Sequence, residues 1–138
     1  MLLFDMDINW RAVLTGFVVA FVLGILAAWL VPPTGAAAWV QALPGLIGGL
    51  TAGYMVAGVG RGAVHGGLAT VIGALVLLVV GVVFGTLFAG VVPAVAGFVL
   101  GLTVLVAQAI PGAVAGAVGG WAKDRRMASR EPAGAEVR

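Results

Sequence analysis

Residues 63–88 read AVHGGLATVIGALVLLVVGVVFGTLF, a run that contains no aspartate, glutamate, lysine or arginine. A helix that crosses the roughly 30 Å hydrocarbon core of a bilayer needs about 20 apolar residues, since each residue adds about 1.5 Å. Three other stretches of this kind occur at 12–31, 39–59 and 92–121. The sequence therefore predicts an all-α polytopic membrane protein, built as a four-helix transmembrane bundle.

The composition leaves too few charges to cover a soluble globule. Of 138 residues, 62% are hydrophobic and 9% are charged, whereas soluble domains carry about 25% charged residues. The net charge is only +2 and most basic residues lie near the C-terminus, which favours the anionic inner surface of a membrane. We predict no nucleic-acid partner, because no basic stripe is interleaved with aromatic residues. The lack of cysteine excludes disulfides, thiolate metal sites and thiol nucleophiles.

The positions of lysine and arginine predict the orientation of the spans. Arg11 precedes the first span, Arg61 lies between the second and third, and the remainder fall within 123–138. The connections at 32–38 and 89–91 carry no charge. Cytoplasmic loops are enriched in basic residues, so an even number of spans places both termini on the cytoplasmic side of the cell membrane.

This organisation divides the chain into three parts. Residues 1–10 form an N-terminal cytoplasmic lead-in, 11–122 form the four-span transmembrane domain, and 123–138 form a basic cytoplasmic tail that we expect to be disordered. Either Asp7 or Asn9 is expected to cap the first helix with its side-chain oxygen.

The four tryptophans agree with this topology. Trp10 and Trp121 fall at the predicted inner edge of the membrane, and Trp29 and Trp39 fall at the outer edge. Indole rings are enriched at both membrane–water interfaces. The fourth span, about 45 Å long as a straight helix, exceeds the hydrocarbon thickness, so we expect a kink or break near Pro111.

Part of the sequence is repeated. Residues 42–45, ALPG, return as AIPG at 109–112, and the glycines that follow at every fourth position return with them. This pattern predicts a duplicated two-helix unit, whose copies share one orientation about an axis along the membrane normal, since each unit crosses twice. Chance is the alternative explanation, because the chain contains 23 glycines.

Two runs of glycine at every fourth position are the most specific feature. Residues four apart share a helix face, and glycine there lets helix backbones approach closely in a membrane. We expect the second and fourth spans to cross through these faces, with the bulkier first and third spans outside. Homo-oligomerisation and a pore lined by glycine backbone are the alternatives. The six helix-packing residues are Gly45, Gly49, Gly53, Gly112, Gly116 and Gly120.

Two polar residues are candidates for a functional role. His65, the only histidine, lies one turn into the third span, where we expect it to reach headgroups or a carbonyl; a proton relay would want a carboxylate in the membrane. Gln108 precedes Pro111, a residue that frees a backbone carbonyl. Its amide is expected to satisfy such backbone or to bond to another helix, and a permeation path is the alternative.

Four segments carry a resemblance to a known family. They are NWRAVLTGF at 9–17, GLTAGYMVAG at 49–58, GAVHG at 62–66 and IPGAVAG at 110–116. Together they resemble a family of small haloarchaeal membrane proteins catalogued as a domain of unknown function. The resemblance covers nearly the whole chain, and it implies an archaeal multi-pass membrane protein without implying an activity.

The sequence favours a non-enzymatic membrane protein, a structural or accessory subunit that packs through its glycine-rich helix faces. Its expected partners are the lipid bilayer and either a second copy or another membrane protein. We predict no catalytic, cofactor or metal site, because general acid–base and nucleophilic catalysis need groups that the spans lack. The alternative is a small transporter or channel for an ion or small solute, although cation carriers usually keep an acidic residue at midplane.

Overall fold

The computed structural model describes residues 7–30 and 38–130. Nearly all of them lie in helices, which confirms the all-α fold, and each helix coincides with one of the four predicted apolar stretches. In chain order the helices are α1 (Trp10–Leu30), α2 (Ala38–Met55), α3 (Val59–Ala89) and α4 (Val91–Ala128).

Local chemistry explains where the helices begin and how tightly they connect. The side-chain oxygen of Asn9 accepts hydrogen bonds from the backbone N–H groups of Arg11 (3.1 Å) and Ala12 (3.3 Å), which confirms Asn9 as the cap of α1. Gly58 precedes α3 with φ of 99°, and Gly90 alone joins α3 to α4 with φ of 92°. Both residues use the left-handed backbone region that glycine adopts without steric cost.

Helix α4 is longer than the sequence predicted and has no break at Pro111. Its 38 residues continue without a break through Pro111, since a single missing N–H removes one hydrogen bond while the turns on both sides keep theirs. The helix also continues to Ala128. Residues 123–128, predicted as the start of a disordered tail, are therefore helical, and residues 131–138 lie outside the described residues.

Neighbouring helices alternate in direction. Along α1 and α2, Gly16 lies against Ala52 and Gly24 lies beside Pro44, so the two helices run antiparallel. Helix α3 runs parallel to α1, because Asn9 at the start of α1 bonds to His65 near the start of α3, and Phe17 further along α1 contacts Gly73 further along α3. Helix α4 runs antiparallel to α3, with which it has the most extensive contact. The start of α1, the α2–α3 turn and the end of α4 consequently share one end of the bundle.

The helix neighbours do not follow the predicted two-fold relation. An axis that exchanges α1 with α3 and α2 with α4 would make the α1–α4 contact equivalent to the α2–α3 contact. Helices α2 and α3 pack together, whereas the described residues of α1 and α4 do not come into contact. The bundle is asymmetric, and the duplication remains a prediction of the sequence alone.

The core is built from small side chains. The largest fully buried side chains are His65 and Val13, and the other buried apolar residues are alanines and one valine. Large apolar side chains lie outside instead, as for Phe88, which is 83% exposed, and Trp29, which is 88% exposed. Monomeric soluble proteins rarely expose large continuous apolar patches. Small side chains inside and large apolar side chains outside are typical of helices that pack within lipid.

Among the described residues, three helices are long and apolar enough to cross a membrane. The qualifying segments are Trp10–Ala27, Val59–Ala89 and Val91–Ala128. Helix α2 is not among them, because its 18 residues include Gln41, Pro44 and Tyr54.

Candidate functional site

Three helices meet through glycine in the half of the bundle that contains the start of α1 and the end of α4. A Cβ atom added to Gly49 of α2 would lie 2.6 Å from the carbonyl oxygen of Gly112 in α4. One added to Gly66 of α3 would also lie 2.6 Å from that oxygen, and one added to Gly116 would lie 2.8 Å from the Cα of Gly66. Real Cβ atoms essentially never approach other atoms within 3.0 Å, so no other residue fits these positions without movement.

Four of the six predicted glycines lie at the α2–α4 crossing, and two do not. Gly53 lies against Gly116 in the same manner as Gly49 against Gly112. Gly45 instead faces the Thr70 methyl group of α3 at an ordinary van der Waals distance of 3.7 Å.

Gly120 lies against Gly58 and Gly62, outside the α2–α4 crossing. The first half of α3 therefore belongs to the centre, contrary to the expectation that this span lies outside. Gly62 and Gly66, which the sequence analysis missed as packing residues, carry the same four-residue spacing on α3. That spacing is the signal that could have identified them.

His65 lies next to this glycine junction and is fully buried. Its Nε2 accepts a hydrogen bond from the backbone N–H of Asn9 at 2.9 Å, and its Nδ1 lies 2.7 Å from the carbonyl oxygen of Arg61. A backbone N–H only donates and a carbonyl only accepts, so the two partners assign a neutral ring with its proton on Nδ1. The predicted carbonyl contact is confirmed, whereas headgroup contact does not fit a fully buried ring.

Polar side chains at the end of α4 bind the turn between α2 and α3. The Lys123 ammonium donates a hydrogen bond to the carbonyl oxygen of Met55 at 2.6 Å. The Asp124 carboxylate accepts one from the backbone N–H of Gly58 at 3.0 Å. These two bonds satisfy backbone groups at the end of α2 and the start of α3, which would otherwise lack helical partners. They also explain why α4 stays helical past residue 122.

Two arginines complete this end of the bundle. Arg126 donates a hydrogen bond of 2.7 Å to the hydroxyl oxygen of Tyr54, which raises the pKa of this arginine above its ordinary value. The guanidinium of Arg125 lies 4.4 Å from the ring centre of Trp121, a cation–π arrangement. We call Lys123, Asp124 and Arg126 the C-terminal clamp, since all three attach α4 to the α2–α3 hairpin.

The opposite half of the bundle contains a cavity of about 690 Å³ lined by residues of all four helices. Its walls are apolar except for Thr70 and Gln108. The Thr70 hydroxyl donates a hydrogen bond of 2.9 Å to the carbonyl oxygen of Gly66. Gln108 is half-buried, and among the residues whose side chains are described none forms a hydrogen bond with its amide. Within the described part of the chain, the cavity therefore contains an amide without a hydrogen-bond partner.

Acidic and metal-ligating side chains are sparse in the part of the chain that the structure describes. Within it, no three histidine, aspartate or glutamate side chains lie close enough together to hold a metal ion. His65 and Gln108, the two polar candidates from the sequence, lie in different halves of the bundle and do not form one site.

Comparison with known proteins gives a family and no relatives of known activity. Neither a curated protein nor a solved structure matches the chain. The model of a family of unknown function, DUF5518, matches residues 10–122, which cover all four helices up to the C-terminal clamp. The chain therefore belongs to this family of unknown function.

Proposed function

We propose that the protein is a four-span integral membrane protein with a structural or accessory role and no catalytic activity. The observation that carries this proposal is the glycine junction, where α2, α3 and α4 are in backbone contact through Gly49, Gly66 and Gly112. Close backbone approach supplies dispersion contacts that substitute for the hydrophobic effect within lipid. The large apolar side chains on the outside supply the surface that faces lipid.

Helix α2 is the fourth span of this proposal, although it is the least apolar. Helices α1 and α3 run parallel, with Phe17 of α1 against Gly73 of α3. The chain must therefore return through the same thickness between them, and among the described residues α2 is the helix that lies between α1 and α3 in the chain. Its 18 residues extend about 27 Å, close to the hydrocarbon thickness.

The positive charges support cytoplasmic placement of both termini. Arg11, Arg61 and the C-terminal clamp share one end of the bundle, as the hydrogen bonds from Asn9 to His65 and from Lys123 to Met55 require. Basic residues next to spans favour the cytoplasmic side.

The archaeal source implied by the family resemblance remains a prediction.

Labelling of introduced cysteines tests this topology in a chain that has no cysteine of its own. Leu30→Cys and Val91→Cys place thiols at exposed positions at the far ends of α1 and α4. Ser129→Cys places one just beyond α4. In intact cells, a membrane-impermeant maleimide should label the first two and spare the third until the membrane is opened. Protection of Leu30→Cys together with labelling of Val91→Cys would show that α2 does not return through the membrane.

The glycine junction also bears on the alternative of a channel or transporter. Backbone contacts between Gly53 and Gly116 and between Gly62 and Gly120 fill the inner half of the bundle. These contacts argue against an aqueous path in this half. Because the same glycines are buried within one chain, they also argue against a glycine-lined interface with a second copy. Flux of ions or small solutes from proteoliposomes should equal that of protein-free vesicles. Flux that Gln108→Leu abolishes would replace the structural role with transport.

A further inference from the structure

The cavity lies among all four helices, in the half of the bundle opposite the glycine junction. Its lining includes Phe17 and Phe21 of α1, Pro44 of α2, Leu77 and Leu78 of α3, and Gln108 of α4. At about 690 Å³ it falls within the range of pockets that hold small molecules. Such pockets are mostly apolar and contain a few polar groups that orient the ligand. The cavity between the four helices has this composition, since its described lining is apolar apart from Thr70 and Gln108.

The chemistry of the lining limits what can bind. Among the described residues that line the cavity there is no lysine, arginine, histidine, aspartate or glutamate. A charged ligand would lose its hydration without gaining a counter-charge, which is strongly unfavourable in an apolar environment. The ligand must therefore be neutral and mostly hydrocarbon.

Gln108 indicates which polar group the ligand carries. Its amide has donors and an acceptor, and it lies half-buried in the wall of an apolar cavity. Burying an amide away from water without a hydrogen-bond partner costs free energy. The Thr70 hydroxyl already donates a hydrogen bond to the carbonyl oxygen of Gly66, so it can only accept a further one. A carbonyl oxygen or a hydroxyl group on the ligand would satisfy Gln108.

We propose that this cavity binds a neutral lipid, with its hydrocarbon chain against the aromatic and leucine side chains and its carbonyl or hydroxyl group on Gln108. The inference rests on the proposed membrane embedding, because the bilayer supplies the ligand. It differs from lipid contact at the outer surface, since a concave site lined by four helices recognises a polar group at a defined depth.

Photocross-linking of the full-length protein tests the site. The protein is reconstituted into phosphatidylcholine nanodiscs with a monoacylglycerol that carries a diazirine in its acyl chain. Cross-links, located by mass spectrometry, should concentrate on the half-buried cavity residues Phe17, Leu78 and Leu105, and unlabelled monoacylglycerol should suppress them. Even labelling along the exposed faces of α1, α3 and α4 would overturn the proposal.

Two variants change the cavity in different ways. Gln108→Leu removes the amide at similar volume, and we expect it to weaken competition by unlabelled lipid about 5- to 15-fold, the value of one buried hydrogen bond. Gly24→Leu should block the cavity, since Gly24 lines it and a Cβ there meets only Pro44, at 4.0 Å. If unlabelled monoacylglycerol suppresses cross-linking in both variants as well as it does in the wild type, the proposal is contradicted.

The matched control removes a polar group that faces outward. Thr103→Leu lies on an exposed face of α4, where the hydroxyl bonds only to Val99 of its own helix, so cavity labelling should not change. If Gln108→Leu does not fold, Gln108→Asn, which keeps the amide but withdraws it by one methylene, should still weaken competition. If the introduced cysteines label as predicted but the cross-links do not concentrate on the cavity, only the lipid site is rejected. If the cysteines do not label as predicted, the membrane embedding on which the lipid site rests is rejected.

Discussion

The backbone N–H of Asn9 and the imidazole Nε2 of His65 are joined by a 2.9 Å hydrogen bond across 56 residues of sequence. Asn9 caps α1 with its side chain while its N–H donates to α3. His65 completes the link by bonding to the Arg61 carbonyl through its other nitrogen. One neutral, buried ring thus attaches the start of α1 to the start of α3 and brings both helices into register.

Replacement of His65 by leucine should destabilise the protein by about 2–3 kcal/mol, because the Asn9 N–H would be left without an acceptor. His65→Gln should recover part of this loss, since its amide oxygen can accept the same bond. Unfolding by SDS in mixed micelles measures both changes. Val64→Ala, at an exposed neighbouring position, is the control. Equal stability of His65→Leu and wild type would show that this bond contributes nothing.

The four helices were predictable because each of the apolar runs at 12–31, 39–59, 63–88 and 92–121 has the length that a membrane-spanning helix needs. Asn9 was predictable as a cap, since capping depends on neighbouring residues alone. Both the apolar runs and the cap depend on residues that are neighbours in the sequence, so the sequence alone predicts them.

Contacts between distant segments were not predictable in the same way. The sequence predicted that His65 reaches headgroups or a carbonyl, and it did not identify the Asn9 N–H as a partner because nothing local indicates this contact. It placed Lys123 and Asp124 in a disordered tail because their partners, Met55 and Gly58, lie on another helix pair. The cavity depends on the angles between helices, which glycine spacing does not specify.

Two truncations test the role of the C-terminal clamp. A chain that ends after residue 126 keeps Lys123, Asp124 and Arg126, and it should be as stable in detergent as the full chain. A chain that ends after residue 122 loses all three contacts with the α2–α3 hairpin, and its midpoint of thermal aggregation should fall. Size-exclusion chromatography after heating measures both. A similar loss in the longer chain would assign a structural role to residues beyond the clamp.

Asp124 tests one bond of the clamp individually. Asp124→Ala leaves the Gly58 N–H without its acceptor, so we expect a loss of about 1–2 kcal/mol. Asp124→Asn keeps an acceptor oxygen at the same distance along the side chain and should retain most of the stability. SDS unfolding compares the two variants. If asparagine is as damaging as alanine, the negative charge matters rather than the hydrogen bond.

The glycine junction makes the strongest prediction about stability. A side chain at Gly116 would meet the backbone of Gly62 and Gly66, and one at Gly49 would meet the backbone of Gly112. Backbone cannot rotate away as a flexible side chain can, so the helices would have to separate. Gly116→Leu or Gly49→Leu should therefore cost about 1–3 kcal/mol or more through overpacking.

Gly81→Leu is the matched control for the junction, because a Cβ at Gly81 meets nothing within 4 Å. The same residue exchange in α3 should leave stability unchanged or raise it slightly, since glycine is a poor helix former. The difference between Gly116→Leu and Gly81→Leu in SDS unfolding then isolates the contact from the change in helix propensity. Equal effects of the two substitutions would show that backbone contact between α3 and α4 does not hold the bundle together.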